Sequence, residues 1–207
     1  MTERERLIEI LEGLEHEGTT VMDLVRAGQP AEPWRLYPGE EGVFDRGTRC
    51  QFYYHAHDDG RGEDGHLHTV RLFHDRTVHL VAISMTPDGW PRALFTVNYW
   101  AAGDAYESAA QVRGYARRFR LGEDRGPARL VRFVNLMFRV FLRDIERLQE
   151  EKVATLAAHR LRYPARDPFQ DRSLEILSWT DVDLRGRLVH TSASSPSGPA
   201  VPASQAD

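Results

Sequence analysis

Between Asp58 and Gly65 the chain reads DDGRGEDG, eight residues drawn only from Asp, Glu, Gly and Arg. Such a run has no apolar side chain to bury and is rich in turn-forming types, so it must be a surface connection. Its flanks, QFYYHAH before and HLHTVRLFH after, are β-like, and together the three stretches predict a hairpin. The flanks also hold four of the nine histidines as two His-x-His pairs, His55/His57 and His66/His68. Alternate residues of a strand point to one face, so each pair shares a face. If the strands close symmetrically, His57 lies opposite His66 and His55 opposite His68, with Cβ atoms about 4.5–5.5 Å apart. A slip of one residue would send one pair to the other face, so the register decides whether a cluster exists.

The β signal runs on to Trp100. Strands are expected at 50–57, 66–74, 78–86 and 92–100, joined by a tight turn at Asp75-Arg76 and by Pro87-Asp88-Gly89-Trp90 with its Asp-Gly type I′ signature. The result is a small antiparallel meander. One face should carry Tyr53, the four histidines, His79, Val81, Ile83, Met85 and Leu94. The other should carry Phe52, Tyr54, Leu67, Leu80, Ala82, Phe95 and Val97. Both are apolar enough to need cover.

Helices flank the meander. Residues 2–17 are amphipathic through Leu7, Ile8, Leu11 and Leu14, with Thr2 and Glu5 spaced as a capping box. A short helix is expected at 20–27, followed by a Pro/Gly-rich loop whose Trp34 and Tyr37 pack it onto the body. Asp104 is a reasonable N-cap for a helix over 105–120, and Pro127 fits the first turn of one running from about 127 to 160, the two forming a hairpin. DRSLEILSW reads as an edge strand or a crossing over the helices. The expected fold class is therefore α+β: an antiparallel meander with an N-terminal helix and a C-terminal helical hairpin. It forms one globular domain over 1–185, and the Ser/Pro/Ala-rich 186–207 is a disordered tail.

Composition narrows the function. A net charge of −4 across 207 residues gives no general attraction to nucleic acid or to an anionic membrane. The single Cys50 excludes an internal disulfide and any Cys-x-x-Cys zinc ribbon. The charged start, MTERERLIEI, lacks a signal-peptide core, and no window is long and apolar enough to span a bilayer, which favours the cytoplasm. There is no phosphate-binding glycine loop and no Gly-x-Ser-x-Gly elbow.

What remains is the imidazole cluster. His55, His57, His66 and His68 are candidate ligands for a divalent transition metal, zinc or iron. Three ligands would leave a position open for metal-dependent chemistry on a small-molecule ligand, and four would close the site. Asp58, Asp59, Glu63 and Asp64 are placed to add an oxygen ligand or to orient a ring, and His79 and Glu107 join if the sheet curls. The alternative is a non-catalytic ligand-binding or scaffold domain whose histidines form a metal-free polar network. Catalytic residues, reaction and oligomeric state are not specified by the sequence.

The ordered segments WRLYP, QFYYHAH, GHLHT, HLVAISM, LFTVNYW and DRSLEILS resemble an uncharacterised bacterial family, a domain of unknown function with YYHAH and GHxHT segments. The resemblance covers roughly residues 34–180 and implies no activity. The chain has Tyr99 where the family pattern carries arginine.

Overall fold

The computed structural model describes residues 1–33, 35–56, 63–102 and 105–186. Six strands, β1 (Val43–Asp45), β2 (Cys50–His55), β3 (Gly65–Leu72), β4 (Thr77–Met85), β5 (Pro91–Val97) and β6 (Ile176–Asp181), form one antiparallel sheet. They lie in sequential order, so the meander is confirmed and lengthened at both edges. β1 falls between the expected Pro/Gly-rich loop and the first expected strand, where the sequence predicts no element. DRSLEILSW supplies β6, which pairs with β5 as an edge strand.

The helices are α1 (Glu3–His16), α2 (Val21–Arg26), α3 (Tyr99–Ala102), α4 (Ala109–Ala116), α5 (Ala128–Val140) and α6 (Leu142–Arg162). Thr2 and Glu5 close the capping box on α1, each accepting from the other's backbone N–H. α4 is shorter than expected and starts from a capping box of Ser108 and Gln111, while Asp104, the expected cap, lies outside the described residues, as does Trp34. The single helix expected from 127 to 160 is two, broken at Phe141, whose φ of −108° and ψ of 21° leave the helical region. No Pro or Gly marks that break. The two helices differ in setting: α5 is buried along most of its length, whereas α6 buries one stripe and lies along β5 and β6. The helical pair is α4 with α6, bridged by Arg113–Glu150 and Arg117–Glu146.

The main core lies on one sheet face. There Phe52, Tyr54, Leu67, Leu80, Val81, Ile83, Met85 and Leu94 pack with Leu7, Leu11 and Leu14 of α1, Met22 of α2, Phe133 and Met137 of α5, and Ile145 and Leu148 of α6. Ala82, Phe95 and Val97 form a smaller cluster on the other face. The sequence reading put Val81, Ile83, Met85 and Leu94 on the histidine face, and the structure reverses that assignment. The reason is a β-bulge: Thr69 pairs with Val81 and Val70 with His79, leaving Leu80 without a partner and inverting the alternation along β4. The Gln149 side-chain amide donates to the Leu80 carbonyl at 2.7 Å, and the Thr69 hydroxyl donates to the Val81 carbonyl at 2.6 Å.

The β4–β5 turn also differs from expectation. A type I′ turn needs two left-handed residues, and of Asp88 and Gly89 only Gly89 has positive φ, at +80°. Lys152, the chain's sole lysine, is buried on α6 with its ammonium 5.0 Å from the Tyr99 ring centroid. Among the described residues no helix is long and apolar enough to cross a membrane.

Candidate metal centre

β2 and β3 pair with His55 opposite His66 and Tyr53 opposite His68. This is two residues away from the symmetric closure, which set His55 against His68. The pairing of β2 with β3 runs to His55, and the next residue, Ala56, bridges to Pro33. A shift of two preserves facing, so His55, His66 and His68 still share one side. His57, with Asp58 and Asp59, lies outside the described residues.

The three rings converge through the same atom. Nε2 of His55 is 2.9 Å from Nε2 of His66 and 2.9 Å from Nε2 of His68, and the third side, His66 to His68, is 3.0 Å. One ion can reach all three nitrogens. At the usual zinc–nitrogen distance of about 2.0–2.1 Å, nitrogens this close subtend angles of about 90° at the ion, a facial arrangement. This three-histidine group is thus geometrically able to hold a metal ion. His66 and His68 are buried and His55 is half-buried.

Two of the rings, His66 and His68, are supported from behind and beside. Nδ1 of His66 is 3.0 Å from Oε1 of Glu63, a buried carboxylate whose other oxygen accepts from the Ser84 hydroxyl. Nδ1 of His68 is 2.9 Å from Nε2 of His79. The Tyr53 ring lies 5.3 Å from His68, and Phe95 packs edge-on to His66 at 5.1 Å. Burial first, then the neighbouring His68, Lys152 and His66, holds His79 well below the usual imidazole range. Gly65 lets β3 begin close to this site: a Cβ there would meet the His55 carbonyl at 2.5 Å and the Tyr54 hydroxyl at 2.6 Å.

Other sequence candidates have different employment. Asp64 accepts from the Tyr54 hydroxyl at 2.7 Å and pairs with Arg26 at 3.4 Å. Burial, and then that bond to Asp64, push the Tyr54 phenol far above its usual range. Glu107 is paired with Arg76 at 2.9 Å. His159 lies on α6 against Asp171 at 3.0 Å. A cavity of about 390 Å³ between α1 and α5 is lined by Glu3, Arg6, Arg132 and Arg139 and does not touch the histidines. The role of His79 was foreseen only as a consequence of sheet curl. The bulge that delivers it leaves no plain trace in sequence.

With this geometry established, the match to a family model gains meaning. A model described as "Domain of unknown function (DUF6969)" matches residues 1–182. The chain belongs to that family. No curated protein and no solved structure matches it. Family membership therefore brings no assigned reaction, and the functional reading rests on the site.

Proposed function

We propose that this is a metal-binding protein whose ion, zinc or iron by ligand chemistry, is held by His55, His66 and His68. The observation that carries the reading is the closed triangle of Nε2 atoms, 2.9–3.0 Å on each side. An imidazole nitrogen with a proton can only donate, and one with a lone pair can only accept. Three nitrogens in mutual contact cannot be assigned so that every pair joins a donor to an acceptor. However the protons are placed, at least one pair sets like against like. A cation that accepts all three lone pairs removes the conflict.

Three neutral ligands leave coordination positions for water or a small molecule, which supports a metal-dependent enzyme over a closed structural site. His57, two residues beyond His55, is the candidate fourth ligand, and with nitrogens at about 90° around a six-coordinate ion it would still leave two positions open. Protein purified without a His-tag is expected to contain about one equivalent of zinc or iron by elemental analysis. The His66→Ala, His68→Ala double variant should lose it, and His57→Ala should weaken binding without abolishing it. Wild-type protein with no stoichiometric metal, and no change in melting temperature on adding Zn²⁺ or Fe²⁺, overturns the reading in favour of a metal-free scaffold or ligand-binding domain.

A further inference from the structure

Whether a histidine offers Nε2 to an ion depends on where its proton sits, and two residues behind the trio bear on that choice. Glu63 is an acceptor when ionised, so His66 donates to it through Nδ1 and leaves Nε2 with a lone pair. The contact between Nδ1 of His68 and Nε2 of His79 admits two assignments. If His79 donated, neutral His68 would carry its proton on Nε2, aimed at the nitrogens of His55 and His66. If His68 donates, its Nε2 lone pair faces the shared point.

We propose that Glu63 and His79 are positioning residues, each taking the Nδ1 proton of one ligand so that its Nε2 lone pair turns toward the ion. This rests on the metal-binding reading above. The two differ in strength. A carboxylate behind His66 raises that ring's basicity more than a neutral imidazole does behind His68. His79 reaches the site only because of the bulge at Leu80. In a regular β4 it would share the face of Val81 and Ile83, away from His68. The bulge is held by Gln149 of α6 and by Thr69. The helical layer thus extends to the ligand shell through one unpaired residue.

The test begins with the metal-free wild-type protein, its histidines labelled with ¹⁵N. His68 is expected as the Nδ1–H tautomer, and an Nε2–H tautomer overturns the proposal without recourse to any variant. Co²⁺ then serves as the probe. His79→Gln places a carbonyl oxygen close to where Nε2 stood and keeps the acceptor; His79→Leu fills the space without one. Co²⁺ affinity should fall about 10–100-fold in His79→Leu and return to within about threefold of wild type in His79→Gln. The slowly exchanging, contact-shifted N–H signal of His68 should persist in His79→Gln and vanish in His79→Leu. A purely structural role would not separate the two variants in that signal. Wild-type affinity and an intact signal in His79→Leu overturn this inference while leaving the metal site standing. Failure of the wild type to bind Co²⁺ overturns the metal reading, and this inference with it.

Discussion

The two faces of the sheet are built by opposite rules, and one strand shows both. On β3, Leu67 is fully buried in the main core, packed with α1, α2 and α5 through the surrounding cluster. Its neighbours His66 and His68 point the other way, almost as deeply buried but among polar partners. Burial on the first face removes apolar area from water and stabilises the fold. Burial on the second removes imidazoles from water, a cost that needs hydrogen bonds or an ion to offset it. The core face is predominantly apolar, and the histidine face gathers the polar groups of the proposed site.

Adjacent substitutions can break this contrast. The largest expected effect is from Leu67→Ala, which should destabilise the metal-free protein by about 2–5 kcal/mol in urea denaturation, since it leaves a cavity in a closed core. His68→Ala should cost the metal-free protein much less. It should instead abolish the added stability that metal confers, about 2.7 kcal/mol with free metal at a hundredfold excess over Kd. Comparable losses for the two variants in chelator would show that the faces are not separate in the way described.

Gly65→Ala sharpens the comparison because it acts where the faces meet. The new Cβ would press on the Tyr54 hydroxyl, which belongs to the core side, and on the carbonyl of His55, a member of the trio. A loss of about 1–3 kcal/mol is expected, with weakened metal binding, both read from melting with and without Zn²⁺.

The smallest effect concerns pH. Burial opposes ionisation of Asp45, but the backbone N–H groups of Gly122, Thr48 and Gly47 outweigh it and hold the carboxyl below its usual range. A group with a depressed folded pKa contributes stability above its unfolded value, about 3.9 for Asp, and loses it as pH falls through the folded value. Asp45 joins β1 to the loop after α4 by accepting from Gly122 at 2.8 Å. Stability should therefore decline below about pH 4, and Asp45→Asn should flatten that decline in acid denaturation. Metal should leave at higher pH than this, as protons compete for the ring nitrogens.

Much of this architecture could be read from the residues. The capping box at Thr2 and Glu5, the four central strands and the shared facing of His55, His66 and His68 all follow from local chemistry and a period of two. The register of the hairpin did not follow, because a connection built of Asp, Glu, Gly and Arg does not fix where the strands begin to pair, and β2 and β3 pair two residues away from symmetric closure. Nor did the inverted face of β4, since nothing at Leu80 distinguishes a bulge from a regular strand residue, and the groups that hold it include Gln149, far along the chain. Phe141 breaks a helix that its own sequence would continue. At the bulge a long-range partner overrode a local pattern. The site was legible as a set of histidines with four acids placed to orient a ring; that Glu63 among the four stands behind His66 was not legible, because it depends on the strand register.

The burial of Lys152 has a practical consequence for work on this molecule. With one primary amine among all its side chains, and that one enclosed against Tyr99, a reagent that acylates amines reports, apart from the exposed α-amino group of Met1, on a single side chain. Labelling of that side chain can proceed only when α6 lifts from its neighbours, so its rate is a clock for local opening at the helix that also grips the bulge.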